Sequence, residues 1–406
     1  MLKSLVIGVN LCVSVASADL LIRDVTIVDV SNGTVHPRHS ILIHGERIAT
    51  TGRDIPAPKG VRVVEGAGKF VIPGLWDMHV HLSDRDQLAL YLARGVTGVR
   101  DMGSDLDRAK DWRRAIDKGE LVGPHIETCG PPFDGFPSDD AKRPVTMVRS
   151  PGEARTVYDR LDDRSVDFIG VRPRLPRDAY FALIERARKY YSPVAGAVPS
   201  TVSVLEAVDN RQRSIDQMSG ILVACSTEER KLRGPRALAL DRRDWAEFRE
   251  LEARAVETFD DEKADALFHR MAMFETRAVP VLVKLRASQC TRDQYAKLAE
   301  LVLAMDRAGV GIMTGAGDAQ IQDELELLVA AGLTPAEALR SATLEPAKYL
   351  DAAASLGTVE SGKIADLVLL DRNPLVDIKN TREIAAVVFS GKYLSKVQLR
   401  ALPRDH

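Results

Sequence analysis

One short stretch of this chain has residue types and spacing that could do chemistry: Gly74-Leu-Trp-Asp-Met-His-Val-His-Leu-Ser. His79 and His81 close an apolar run that begins at Phe70. On a β-strand, side chains alternate with period two, so H-x-H points both imidazoles to the same side. Two neutral imidazoles on one face can share a divalent cation. The same spacing also describes two ordinary polar residues at a strand end, so the surrounding elements must decide.

Those elements alternate through the middle of the chain. Strand-like apolar runs occur near Met78, at Val96-Thr-Gly-Val, near Ile126, and at Phe168-Ile-Gly-Val and Pro193-Val-Ala-Gly. They continue at Ser214-Ile, Val279-Pro-Val-Leu-Val and Val310-Gly-Ile-Met, with helical segments between. Ser150-Pro-Gly-Glu and Thr334-Pro-Ala-Glu are capping boxes with proline at the first helical position. Arg243 to Arg277 reads as a long charged helical stretch before the seventh strand. Eight strand–helix alternations predict an α/β protein with a (β/α)8 barrel. In such barrels the reacting groups sit at the C-terminal strand ends, where His79 and His81 fall.

The two chain ends have a different texture. Residues 19–73 and 356–406 are rich in short strands and turn signals, and are expected to pair into one small β-sandwich domain beside a barrel of residues 74–355. Residues 1–18 read as a signal peptide: Lys3, a short apolar run, then Ala16-Ser-Ala before a cleavage site after Ala18. A secreted or periplasmic protein, with no membrane attachment after cleavage, is the expectation. A net charge of −2 gives no electrostatic case for binding nucleic acid or an anionic membrane. Cys129, Cys225 and Cys290 lie at no metal-like spacing and read as small buried side chains.

With these elements in place, the chain resembles the amidohydrolase superfamily, within it the imidazolonepropionase-like and Xaa-Arg/Lys or Xaa-Pro dipeptidase-like members. The residues that carry the resemblance are Val71-Ile-Pro-Gly-Leu-Trp-Asp-Met-His-Val-His, Gly95-Val-Thr-Gly-Val-Arg-Asp-Met-Gly and Gly332-Leu-Thr-Pro-Ala-Glu-Ala-Leu-Arg-Ser-Ala-Thr. Gly357-Thr-Val-Glu-Ser-Gly-Lys-Ile-Ala-Asp-Leu-Val-Leu-Leu-Asp adds to them. The resemblance implies two divalent metals, usually zinc. Its ligands are the first-strand H-x-H, a carboxylated lysine on strand four, histidines on strands five and six, and an aspartate after strand eight. A metal-bound water attacks a carbonyl while the aspartate moves the proton.

Matched residue by residue, the set is incomplete. His79 and His81 match the H-x-H, and Asp318 in Met313-Thr-Gly-Ala-Gly-Asp matches the last aspartate. Gly170 stands in place of the lysine, Ala197 of the strand-five histidine and Gln217 of the strand-six histidine. Gly170 and Ala197 offer no ligand atom, and an amide oxygen suits zinc poorly. The expectation is one divalent metal, zinc, on His79, His81 and Asp318, with Asp318 also catalytic and no second metal. Strand parity sends Arg172 to the same side as Gly170, so Arg172 and Gln217 are the candidates for holding a substrate carboxylate or amide. The implied function is a hydrolase of C–N, amide or peptide-like, bonds with at most a mononuclear site, acting on a dipeptide-like small molecule. The alternative is a non-catalytic binding protein in the same fold. Related barrels also form homo-oligomers.

Overall fold

The computed structural model describes residues 19–138, 143–163, 165–288 and 290–402. Residues 1–18, which read as a signal peptide and include Cys12, lie outside them. Among the described residues no helix is long and apolar enough to cross a membrane.

Both chain ends contribute to one eight-stranded sheet. Its order is Lys392–Ser395, Ile384–Phe389, Leu367–Leu370, Phe70–Pro73, Leu20–Asp29, Thr34–His44, Arg47–Gly52, with Arg62–Glu65 pairing Leu20–Asp29 off the path. The ends meet where Leu367–Leu370 runs antiparallel to Phe70–Pro73. Strand alternation then sorts the side chains. Val71, Leu367 and Leu369 face a separate apolar cluster with Ile22 and Ile41, whereas Ile72, Val368 and Leu370 join the main core. At these central strands the sheet is thus buried on both faces, which ties it to the rest of the molecule.

The middle of the chain forms parallel strands in two sheets. Leu75–Val80, Val96–Asp101 and His125–Thr128 make one. Ile169–Val171, Val194–Gly196, Ser214–Asp216 and Arg277–Val279 are consecutive in the other. Single backbone hydrogen bonds link the two at both edges. Asp167 N donates to Thr128 O at 3.1 Å, and Met313 N donates to Ala278 O while Met78 N donates to Thr314 O, both at 2.8 Å. Two short strands, Phe133–Asp134 and Thr146–Met147, extend the second sheet beside Ile169–Val171 and were not foreseen.

The segment from Arg243 to Arg277 is not one helix. Trp245–Glu257 and Asp261–Met273 are separate, each started by its own aspartate cap, Asp244 and Asp260, and preceded by Glu229–Arg242. Arg243 turns left-handed between the first two (φ 59°), so the chain doubles back there. These helices then fold over the C-terminal ends of the parallel strands.

His125 fastens the end sheet to the first parallel sheet. Its Nε2 bonds Asp366 at 2.9 Å, and its ring lies between Trp76, stacked at 6.4 Å, and Phe389 at 4.7 Å. Burial alone would lower the His125 pKa, but the bond to Asp366 and its charge outweigh it, so the group sits above its ordinary value. A raised folded-state pKa gives stability that is fully present below pH ~6.5 and is lost as pH rises through the folded value. Urea melts of the wild type and His125→Gln across pH 5.5–9 should therefore show a gap that is largest in acid and narrows in base. A gap that widens with pH would contradict this coupling.

Candidate functional site

The candidate site is built around one buried carboxylate. Arg100 is fully buried on the strand Val96–Asp101, inside the stretch Val96-Thr-Gly-Val-Arg-Asp. A buried guanidinium must be satisfied at every donor. Its Nε donates to Met78 O at 2.7 Å, one terminal nitrogen to Ser214 Oγ at 2.9 Å, and the other to Asp216 Oδ2 at 2.8 Å and Oδ1 at 3.1 Å. The guanidinium also lies over the rings of Phe168 and Tyr349. Asp216 receives Ser214 Oγ as well, at 2.8 Å. Burial would raise the pKa of Asp216, yet the charge of Arg100 and the bond to His79 hold it below the ordinary value.

That carboxylate fixes His79. Its Nδ1 lies 2.7 Å from Asp216 Oδ2, so Nδ1 carries the proton and donates. His79 is buried, which lowers its pKa and keeps the ring neutral. The other nitrogen, Nε2, therefore offers a bare lone pair. A histidine that donates Nδ1–H to a carboxylate is oriented as metal-binding histidines usually are. Here the lone pair faces Gln217: the amide nitrogen lies 2.9 Å away and donates to it.

The other residues singled out from the sequence are spread around this pair. His81 stands edge-on to His79 at 5.3 Å, and its buried Nδ1 has no partner among the described residues. Burial first, then His79 and the cations Arg143, Lys284 and Arg172, push its pKa well down, so it too is neutral. Asp318 does not join the histidines: its side chain is 69% exposed, and it bonds Arg143 at 2.8 Å. The buried aspartate in this region is instead Asp77, which accepts from His79 N at 3.1 Å and Ala316 N at 3.0 Å. Burial pushes Asp77 up to about 7 against these two bonds.

Gly170 is not a vacancy waiting for a lysine. A Cβ built there would lie 2.6 Å from Cys129 Sγ and 3.0 Å from Pro132 Cβ. Cys129 packs with Met102, Phe168 and Ala195 in a small buried apolar cluster. Arg172 does reach the site, beside the buried Asp134 at 3.7 Å. Arg174 also approaches Asp134, at 3.9 Å, and covers Phe136, so it takes no part in the cavity wall.

A cavity of about 580 Å³ opens over these strand ends. His79, His81, Ala197, Gln217 and Arg172 line its strand side. Leu240, Trp245, Phe248, Leu285 and Leu298 form an apolar wall on the helix side. Lys284 and Arg143 add positive charge, while the two acids on the wall, Asp216 and Glu252, are already paired with Arg100 and Arg236. Lys284 stands on the helix Leu282–Ala287, whose first amides, Leu282 N and Val283 N, donate to buried Glu324 at 2.8 Å each. Sequence reasoning missed Arg100, Asp216, Lys284 and Glu324. A charged residue inside an apolar strand run, as at Arg100, was the available signal for a buried partner.

A zinc ion does not fit this donor set. Tetrahedral zinc needs three convergent ligands and an open position. His79 spends its lone pair on Gln217, Asp318 is turned outward onto Arg143, and cations share the cavity. Among the described residues no group of three or more His, Cys, Asp or Glu side chains could hold a metal. In this structure Asp318 stands apart from His79 and His81, so the three expected ligands do not converge.

Two substitutions check this account. Gly170→Ala should cost about 1–3 kcal/mol in urea melts, because Cys129 and Pro132 must move to admit a methyl group. Asp216→Asn should cost about 3–5 kcal/mol, since Arg100 would be left as an uncompensated buried charge. Unchanged stability in either variant would contradict the packing described.

Comparison with known proteins agrees with the architecture. Residues 245–394 match the model described as "Amidohydrolase family". A segment of 92 residues is 35% identical to an adenine deaminase of Rubrobacter xylanophilus, covering 22% of this chain and 15% of that protein. Another of 82 residues is 42% identical to a dihydroorotase of Geobacter sulfurreducens, covering 20% of this chain and 19% of that protein. The matches thus span less than a fifth of the length of these curated relatives. The solved structure of a Xaa-Pro dipeptidase with bound methionine in the active site superposes with a TM-score of 0.70 at 21% identity, covering 93% of this chain and 100% of that one. A bottromycin amidohydrolase superposes with a TM-score of 0.73 at 19% identity, covering 94% and 88%. Residues 245–394 therefore carry the sequence pattern of the amidohydrolase family, and the chain as a whole has the fold of these two solved structures.

Proposed function

We propose that this protein uses the amidohydrolase fold to bind an amide- or dipeptide-like organic anion, and that its residues are not arranged for metal-assisted hydrolysis. The observation that carries the reading is the cavity wall, where Arg143, Arg172 and Lys284 face an apolar surface of Leu240, Trp245, Phe248 and Leu285. Both acids on that wall are already paired with arginines, Arg143 is paired with Asp318, and Arg172 lies 3.7 Å from Asp134. Lys284 has no ion-pair partner among the described residues, and its pKa is lowered by burial and by the nearby charges of Arg143 and Arg172. A bound carboxylate would relieve that crowding, while an acyl or side-chain group would cover the apolar wall.

The wider reading follows the same line. The two parallel sheets and their linking hydrogen bonds are taken as an eight-strand barrel spanning residues 74–355, with residues 19–73 and 356–406 as its companion β domain. Secretion after removal of residues 1–18 remains part of the proposal. A second reading, hydrolysis of a C–N bond, is favoured by the match of residues 245–394 to the amidohydrolase model.

Calorimetric titration with N-acetyl-L-leucine and with its uncharged amide separates these readings. Binding of the acid but not the amide is expected, weakened by salt and about fivefold by Lys284→Met, as suits loss of one charge contact of ~1 kcal/mol. Chromatography of the same mixtures with and without added zinc should show no release of leucine. Zinc-dependent release would establish the second reading and overturn the first.

A further inference from the structure

We infer that Lys284 is a nucleophilic amine, and that it forms an imine with the carbonyl carbon of a 2-oxo carboxylate held in the cavity. The choice of a carboxylate rests on the anion reading of the cavity, and the imine goes beyond that reading. Lys284 comes shortly after the parallel strand Arg277–Val279, so it stands at the C-terminal strand ends over which the cavity opens. Its side chain lines the cavity and is open to it. Among the described residues no acceptor or carboxylate holds its Nζ. The protein packed around the amine, with the charges of Arg143 and Arg172, lowers its pKa against the opposite pull of Asp318. A lysine so placed carries more of the free amine, the form that attacks a carbonyl.

The backbone is strained where it delivers this amine. Val281 is left-handed (φ 52°), a conformation that β-branched residues rarely adopt. Its surroundings over-determine it. The Val281 side chain is buried in a cluster with Trp76, Met78 and Val279, and its carbonyl accepts from Lys284 N at 3.0 Å. Buried Glu324 takes the next two amides, Leu282 N and Val283 N, at 2.8 Å each. Strain held in this way clusters at functional sites. The wall beside the amine, Leu240, Trp245, Phe248 and Leu285, is apolar, which disfavours the ammonium and keeps water from an imine once formed. The step balances without oxidant or reductant. The Nζ lone pair makes the new C–N bond while the carbonyl pair moves to oxygen. Both amine protons then leave with that oxygen as water, and C=N remains.

The test traps the imine on the wild-type chain. Pyruvate and its uncharged amide, pyruvamide, are each incubated with the protein and cyanoborohydride, which reduces an imine to a stable secondary amine. Peptide mass mapping then locates the modified lysines. Pyruvate should label Lys284 about tenfold faster than it labels the other lysines, and about tenfold faster than pyruvamide labels Lys284, as suits one charge-assisted contact to the carboxylate. N-acetyl-L-leucine, an acid with no ketone, should protect Lys284 from the label. Labels spread evenly over the lysines, or none on Lys284, would overturn the inference and leave the acid-against-amide titration to judge the anion reading separately. Equal labelling of Lys284 by both probes would overturn the anion reading, and the 2-oxo carboxylate with it.

Discussion

One carboxylate, Asp216, is shared between a buried arginine and a buried histidine, and the site takes its form from that sharing. Arg100 has no exposure to water and must spend its charge inside the protein. A guanidinium with only dipoles around it would be costly to bury, so Asp216 makes the strand Val96–Asp101 compatible with Ser214–Asp216 across the interior. The same carboxylate selects the tautomer of His79, and through it the orientation of Gln217. A feature of core packing thereby sets what the cavity surface offers to a ligand.

The three positions where the family resemblance leads one to expect ligands are each filled in a different way. The place where a side chain at Gly170 would project is filled by Cys129 and Pro132, so the interior is closed by apolar packing. Ala197 leaves open space and becomes wall. Gln217 places an amide donor where a cation would otherwise meet the lone pair of His79. The histidine keeps the carboxylate partner typical of a metal ligand, yet its free nitrogen is satisfied without a metal. Arg143, Arg172 and Lys284 line the same cavity, and of these Lys284 has no ion-pair partner among the described residues.

Much of this architecture was legible in the sequence. The strand runs near Met78, Val96, Ile126, Phe168, Val194, Ser214 and Val279 appear as parallel strands, because fully buried strands leave continuous apolar text. The pairing of both chain ends in one sheet was legible from their shared turn-rich texture. The long charged segment before Arg277 was misread as one helix, since caps at Asp244 and Asp260 are weak signals inside a run of helix formers. Asp318 illustrates a different limit. Motif position placed it on the metal, but its neighbours in sequence do not encode Arg143, the residue that turns it outward. Likewise nothing local to Gly170 reveals that Cys129 occupies the space in front of it. Contacts between distant segments decide the site, and a single sequence shows residue types without their distances.

The amide of Gln217, not a cation, satisfies the free nitrogen of His79 in this structure. Metal content per chain tests it most directly, measured by elemental analysis on protein purified without chelators and again after dialysis against zinc, beside a His79→Ala/His81→Ala control. Far less than one metal per chain, equal in both proteins, is the result predicted. One or two metals bound to the wild type and absent from the control would contradict it, and would return His79 and His81 to the role their spacing first suggested.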